Sequence, residues 1–468
     1  IVRKRFLLIL RWRRAHLEPS EWWSLGGLRA LLAAKNDPDP DFWRLSAIEV
    51  IEQLKCGQVT PLALVECAAE RIKRTNPAVN SVTTTCFERA RLRASALDVA
   101  SAAPLHGLPV LVTENQPIAG VAWTACSPRF TERIATSNHV CVEALEAAGG
   151  IVIGLTNMPE FALGGTAFNE LFGTASNPWD LSRSAGGSSG GAAAALACGQ
   201  AWLATGADFA GCLRIPAAFC GVVALRPCIG RVGMPPVGAG AWRGRWGIGI
   251  HKVQGPMARN VADVALLLDV LSTSAGVNWE AAAVSMPPSP PPGGFLGSVD
   301  RCNQLKCKCI AWSSDLGSIL KGVHPEVISA VQLAARLLSQ ATGSRLLEAA
   351  PAGLDRAEDL FRTLRCSRIF ESVVGGRAAF SHWEAEWKAS TFPEAVRDIE
   401  AAMQPMINAE LARAEHSRQV LESNAVAFMS ENEFLVCPAT LMPAFDKTLR
   451  YPSTLRQDDD TRIQMDTS

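Results

Sequence analysis

Two short stretches hold side chains that could perform nucleophilic chemistry. The first, "GADFAGCLRIPAAFC" (residues 206–220), sets a thiol, Cys212, after the small residues Ala210 and Gly211. A nucleophile in acyl transfer needs an exposed turn and backbone N–H donors around the developing oxyanion, and small residues allow that approach. Pro216 suits the first turn of a following helix. Taken alone, a single cysteine reads as an inert buried thiol. The second stretch, "AGGSSGGAAAA" (residues 185–195), surrounds Ser188 and Ser189 with glycine. Such a loop lets the backbone approach a ligand and aim N–H groups at an anion, and a helix starting there adds positive partial charge. The competing reading is a flexible Gly/Ser linker. An apolar strand before it and an Ala-rich helix after it argue against that. The lysine of G-x-x-x-x-G-K-[ST] is absent, so the loop is not a P-loop.

The elements that must position these stretches follow from periodicity. "LSAIEVIEQLKCGQVTPLALVECAAERIKRTNP" has apolar residues at three-to-four spacing with one Gly/Pro break, which predicts two helices ending at Asn76-Pro77. "HGLPVLVTEN" predicts a short strand, and "VCVEALEAAGGIVIGLTN" a helix, a Gly-Gly stop and a buried strand. The segment through the Gly/Ser loop predicts an Ala-rich helix, a strand and a Gly turn. Strands alternating with helices predict an α/β/α sandwich, with a central mixed, mainly parallel sheet covered by helices.

The expected organisation is an atypical N-terminal extension over 1–40, a core over 41–283, a Pro-rich linker over 284–298, a mainly helical second part over 299–451 and a polar, frayed tail over 452–468. In the second part "CIAWSSDLGS" reads as a strand-like run and "NEFLVCPAT" predicts a buried strand. "IVRKRFLLILRWRR" at the start is too short in its apolar run for a spanning helix or an ordinary signal peptide.

Lys+Arg and Asp+Glu are equal at 45 each, which gives no electrostatic case for nucleic acid or an anionic membrane as partner. The 14 cysteines are scattered, without C-x-x-C or H-E-x-x-H, so no metal is expected. The cluster Cys302, Cys307 and Cys309 reads as free thiols. Thiol usage and the lack of a credible targeting segment point to a reduced, cytoplasmic protein.

Taken together, "GGSSGG", an intervening helix and "G-x-D-x-x-G-x-x-R-I-P-A-A-F-C-G" resemble the amidase signature family. "PLHGLPVLVTENQPIAG", "IGLTNMPEFALGGTAFNELFGTASNPWD", "QGPMARNVADVALLLDVL", "SSDLGS" and "EFLVCPATLMPAF" fit in the same order, across roughly residues 45–451. The resemblance implies hydrolysis of carboxamide C–N bonds through an acyl-enzyme, by a Ser–cis-Ser–Lys triad and without a cofactor. It places Ser188 at the cis-serine position and Cys212 where the nucleophilic serine normally stands. Thr113, in "VTEN", falls where the lysine normally stands. It assigns the oxyanion amides to Phe209, Ala210, Gly211 and Cys212, and a loop-bracing pair to Asp208 and Arg214, which as a bare ion pair on the surface would be worth little. Met158 and the neighbourhood of Phe161 are expected near the pocket by the same analogy.

These departures matter chemically. Threonine cannot be a general base at neutral pH, whereas a buried lysine can be tuned for it. A thiol offsets part of the loss, being a better nucleophile than a hydroxyl. No histidine in the motifs replaces the base, and His106 reads as structural. The family's usual C-terminal runs beyond "CPAT-x-x-P-A-F" are not found. Three functions follow: an impaired or inactive amidohydrolase acting on a small amide, a non-catalytic member acting in binding or assembly, or an amidotransferase A-type subunit. The resemblance allows a homodimer.

Overall fold

A computed structural model describes residues 41–97, 103–234, 252–274, 287–369, 384, 393–403, 407–450, 454–456 and 462–464. The N-terminal extension therefore lies outside the described residues. The chain divides into two units: residues 1–236, 250–302 and 444–451 in the first, and 237–249, 303–443 and 452–468 in the second.

The first unit opens with α1 (Ala47–Lys55), whose start is fixed twice. Ser46 and Glu49 form a reciprocal capping box, and the Asp263 carboxylate accepts the Ala47 and Ile48 amides at 2.9 and 3.2 Å. Next, α2 (Pro61–Val79) starts behind a Thr60 cap with proline at N1. It does not stop at Asn76-Pro77 as periodicity suggested. It runs on to Asn80, a left-handed cap, because the Asn76 side chain accepts the Ser81 and Val82 amides at 2.8 and 2.9 Å and ties the last turn to the next strand.

The main sheet contains β1 (Val82–Thr85), β2 (Pro109–Thr113), β3 (Ile151–Thr156), β4 (Leu203–Asp208), β5 (Val223–Ala224) and β6 (Val253–Ala258). Their spatial order is β1-β3-β2-β4-β6-β5. The middle pairings, β3 with β2 and β2 with β4, are parallel; the flanking ones are antiparallel. The helices of this unit include α3 (Phe87–Ala96), α4 (Val140–Ala147), α5 (Gly190–Ala197), α6 (Arg214–Cys220) and α7 (Val261–Leu271). Alternation along β2 splits the core. Val110 and Val112 pack with α4 and α7 on one face, and Leu111 with α5 on the other. Burying each such aliphatic side chain stabilises by roughly 1.5–3 kcal/mol, so this two-faced core holds the middle strands rigid.

The expected linker is structured at its end. Residues Gly294–Asp300 form α8, held to α7 by the Asp269 carboxylate, which accepts the Phe295 and Leu296 amides at 2.7 and 3.0 Å. Residues 444–451 also belong to this unit. Phe445 O accepts the Ser184 amide and Ser182 O accepts the Lys447 amide, at 2.8 and 2.9 Å.

The second unit has a parallel three-stranded sheet: β7 (Cys309–Trp312) lies between β8 (Arg345–Glu348) and β9 (Phe434–Val436). Its helices include α9 (Pro325–Thr342), α10 (Ala357–Ile369), α11 (Pro393–Ala402) and α12 (Ile407–Glu431). β9 was expected to be buried, but it is an edge strand and Phe434 is exposed. In the tail, Thr454–Arg456 pairs antiparallel with Arg462–Gln464. No disulfide joins any of the fourteen cysteines, Cys302, Cys307 and Cys309 included. Among the described residues no cluster of His, Cys, Asp or Glu could hold a metal, and no helix is long and apolar enough to cross a membrane.

Candidate active site

The site forms in the first unit at the C-terminal ends of β2 and β4. Approaching α5, the chain passes through a cis peptide bond between Gly187 and Ser188. The glycines after Ser188 and the alanine run of α5 are fully buried, so the helix packs its backbone close against its neighbours. Gly206 on β4 shows how close. A Cβ there would lie 2.6 Å from both Ser189 Oγ and Leu213 Cδ2, so only glycine fits. Ser188 is itself buried, and among the described residues its hydroxyl makes no protein hydrogen bond.

Cys212 sits in the loop between β4 and α6. The loop is organised by Asp208, whose side chain is fully buried. Its carboxylate accepts the Gly211 and Leu213 amides at 2.8 and 3.2 Å. It also accepts both Nε and Nη2 of Arg214, at 3.0 and 2.9 Å, while Arg226 approaches to 3.6 Å. Burial pushes this carboxyl upward, but the Arg214 hydrogen bonds and charge, with the two amides, outweigh it and leave its pKa below the ordinary value. The bare-surface-pair reading thus fails for Asp208, since its carboxylate lies inside the protein. Gly211 adopts φ +101°, a conformation that bulkier residues rarely take.

This loop meets the Gly/Ser loop directly: the Ser189 amide donates to Cys212 O at 3.2 Å. The two motifs, separate in sequence, are therefore one surface, and Cys212 is partly exposed there. One of the four amides expected to hold an oxyanion is already engaged. Gly211 N–H points at Asp208, because the same turn that presents Cys212 folds that amide back onto the carboxylate. Among the described residues the amides of Ala210 and Cys212 have no protein acceptor.

Thr113 ends β2, buried, with its hydroxyl 3.9 Å from the Met158 sulfur. Leu111 pairs with Ala204, so Thr113, two residues on, lies level with Gly206. It carries no basic group to the site. Phe161, at φ +58°, packs edge-on against Phe130.

Three titratable residues at this end of the sheet were not singled out from sequence. Glu114 is fully buried and accepts from Thr124 N–H, Thr124 Oγ1 and Thr83 Oγ1 at 3.1, 2.8 and 2.9 Å. Burial pushes its pKa up to about 7 against those hydrogen bonds. His139 caps α4 through Nδ1, which accepts the Cys141 amide at 3.1 Å, and burial with the Lys252 charge pulls it down to about 3. Lys252 directly precedes β6; burial pulls its ammonium down to about 8 while Cys212 pushes it back up. Its only signal in the sequence was a lysine at the mouth of the apolar run "VQGPMA".

The comparisons with known proteins agree with this architecture. Residues 63–466 match the family model described as Amidase. The chain is 30% identical over 418 residues to an acylamidase of Rhodococcus erythropolis, covering 88% of this chain and 82% of that protein. It is 40% identical over 234 residues to the A-type subunit of the glutamyl-tRNA(Gln) amidotransferase of Prochlorococcus marinus strain MIT 9303, covering 48% of this chain and 46% of that one. The chain thus spans about half the length of that amidotransferase protein. Among solved structures, a bacterial aryl acylamidase of the amidase signature family superposes with a TM-score of 0.76 at 23% identity, covering 90% of this chain and 85% of that one. A chain from a vestigial protein complex, solved in connection with the origins of an s-triazine catabolic enzyme, gives 0.74 at 26% identity, covering 90% and 86%. This chain belongs to the amidase signature family.

Proposed function

We propose that the protein is a thiol-dependent amidohydrolase that cleaves the C–N bond of small carboxamides through Cys212. The observation that carries this reading is the junction of the two loops at the Ser189–Cys212 hydrogen bond, with Cys212 partly exposed beside a buried serine. In this reading the Cys212 sulfur attacks the amide carbonyl, and the amides of Ala210 and Cys212 face the developing oxyanion. Phe209 stays within the proposed oxyanion set; Gly211 is left out because its amide serves Asp208. Asp208 and Arg214 brace the loop in the shape that presents the sulfur. Collapse of the tetrahedral intermediate breaks the C–N bond, Ser188 passes a proton to the leaving nitrogen, and water hydrolyses the thioester. The acylamidase relative points to N-acyl amides as the first substrates to try.

A second reading is a member that keeps the fold and binding cradle without turnover. Thr113 favours it, because a hydroxyl packed on Met158 cannot act as the base. The amidotransferase reading rests on its relatives alone. The test is a panel of small aryl and alkyl amides, with a thiol-directed ester probe read by peptide mapping. Hydrolysis and Cys212 labelling that both vanish in Cys212→Ala support the first reading. Absence of both in the unaltered protein refutes it and leaves the second.

A further inference from the structure

The Gly/Ser loop is gripped on both sides of Ser188, and one buried pair of asparagines joins the two grips. Before Ser188, Gly186 O accepts the Ala167 amide at 3.0 Å, and a Cβ on Gly187 would lie 2.7 Å from the Thr166 backbone nitrogen. After Ser188, the Gly191 amide donates to Asn157 O at 3.0 Å, and a Cβ on Gly191 would lie 2.4 Å from Asn157 N. The first grip adjoins a hairpin in which Phe168–Asn169 pairs with Gly173–Thr174. The second directly follows β3. Between them, Asn169 Nδ2 donates to Asn157 Oδ1 and to Met158 O, each at 2.8 Å. Both asparagines are buried, at 0% and 2% exposure for Asn157 and Asn169.

The pair is fully satisfied, which fixes its orientation. Asn157 Nδ2 donates to Asn80 O and Gly173 O at 3.0 and 3.3 Å, and Asn169 Oδ1 accepts the Phe172 amide at 2.7 Å. Neither side-chain amide can turn over without setting oxygen against oxygen. From the gripped loop, the Ser189 amide donates to Cys212 O at 3.2 Å and carries the position onward. Met158, whose carbonyl Asn169 holds, places its sulfur 3.9 Å from Thr113 Oγ1. We propose that Asn157 and Asn169 are positioning residues of the site. Their hydrogen bond fixes Ser188 between the hairpin and β3, and with it the loop that presents Cys212. Neither touches the reacting atoms. Their bearing on catalysis rests on the reading of Cys212 as nucleophile, while the fixing of the loop does not.

One near-isosteric change separates this role from mere packing. Asn169→Asp keeps the shape and the Phe172 contact, but loses both donations. It sets a carboxylate oxygen 2.8 Å from both Asn157 Oδ1 and Met158 O, and leaves those buried acceptors unpaired. Asn157 cannot answer by flipping, because its Nδ2 serves Asn80 O and Gly173 O. A carboxyl buried beside two such oxygens has its pKa raised, so acid returns an O–H donor to the position. The adjacent charge, Glu170, is largely exposed and pairs with Arg450 at 2.9 Å.

The test combines hydrogen–deuterium exchange over residues 185–195 with the rate at which a thiol-directed ester probe labels Cys212. It is run on the full chain, on Asn169→Asp and Asn169→Ala, and on Val270→Ala as control. Val270 is buried in the core on the other face of the sheet, so its truncation lowers stability without touching the pair. At pH 7, Asn169→Asp should exchange the 185–195 amides faster and label Cys212 more slowly, each by about tenfold or more, since a misplacement of about 1 Å can cost 100-fold. From pH 7 to pH 5 its labelling should climb back toward wild type, while the ratio of Asn169→Ala to wild type stays constant. Val270→Ala should label as wild type does. Wild-type exchange and labelling in folded Asn169→Asp overturn the proposal, and so does a labelling loss that Val270→Ala reproduces at an equal drop in urea midpoint. Faster exchange in Asn169→Asp, with no labelling of the unaltered chain, sinks the nucleophile reading and leaves the fixing of the loop standing. Should neither Asn169 variant fold, the unaltered chain decides. Its 166–175 and 185–195 segments should open at one rate, and rates differing by more than about tenfold overturn the proposal.

Discussion

Replacing Glu114 by glutamine should stabilise the protein in a pH-dependent way. The carboxyl is fully buried, and its pKa is pushed from an ordinary 4.5 to about 7. Below 4.5 it is protonated in both the folded and unfolded chains, so it adds no pH dependence. Between 4.5 and about 7 the unfolded chain releases the proton while the folded one keeps it. Stability therefore falls as pH rises, and the loss is complete above about 7. At 1.36 kcal/mol per unit, the loss amounts to about 3 kcal/mol. Glutamine has the same shape and no proton to lose. Its oxygen can accept from Thr124, and its NH₂ can donate to Thr83 Oγ1, which still has Leu155 O as acceptor at 3.2 Å. Urea unfolding of the wild type and Glu114→Gln at pH 4.5 and pH 8 isolates the effect, because every other titrating group is common to both proteins. The two should be close at pH 4.5, with the variant more stable by about 3 kcal/mol at pH 8. An equal difference at both pH values would refute the reasoning, since it would mean Glu114 ionises alike in both states.

Asp208→Asn should cost about 3 kcal/mol, the lower end for breaking a buried pair, because Arg214 is 48% exposed and can turn to water. The carboxylate's stabilisation is present above 3.8 and lost as pH falls through its lower folded value, so wild type and variant should converge in acid when urea midpoints are compared. Gly206→Ala should cost roughly 1–3 kcal/mol by overpacking, and it should abolish probe labelling of Cys212 by displacing Ser189 and Leu213. Thr113→Lys should raise amide turnover by about 10²- to 10⁴-fold, the usual gain from adding a positioned base. No gain would show that position 113 does not face the reacting atoms.

Most of the fold was legible because its signals are local. The Ala-rich α5, the Gly-Gly stop before β3 and the apolar runs of β2 and β4 each declare themselves within a few residues. The misses came where a distant group overrode the local pattern. Pro77 should end a helix, but Asn76 and Asn80 carry α2 past it. The proline-rich run should be a linker, yet Asp269 on α7 caps its last residues into α8. β9 has a buried strand's composition and lies at a sheet edge, because burial depends on the neighbouring strand and not on the strand itself.

The site divides in the same way. Ser188 and Cys212 stand in motifs, and the motifs announce a meeting that the Ser189–Cys212 hydrogen bond realises. The oxyanion set was less legible, because which amide points outward is decided by the carboxylate behind the loop. Asp208 takes Gly211 for itself, and it can do so only because the loop turns at φ +101°. Lys252 was least legible of all. Nothing within ten residues of Cys212 points to it, and the two are joined only by the antiparallel pairing of β6 with β4, which sets Val253 against Asp208. A motif comparison finds the position a lysine has left. It cannot find a buried residue brought to that end of the sheet by strand register, because that depends on pairing across forty residues of chain. Thr113 ends β2 and Lys252 precedes β6, at the same end of one sheet with β4 between the two strands. A labelling measurement on Cys212 therefore tests the site without requiring that a substrate first be known.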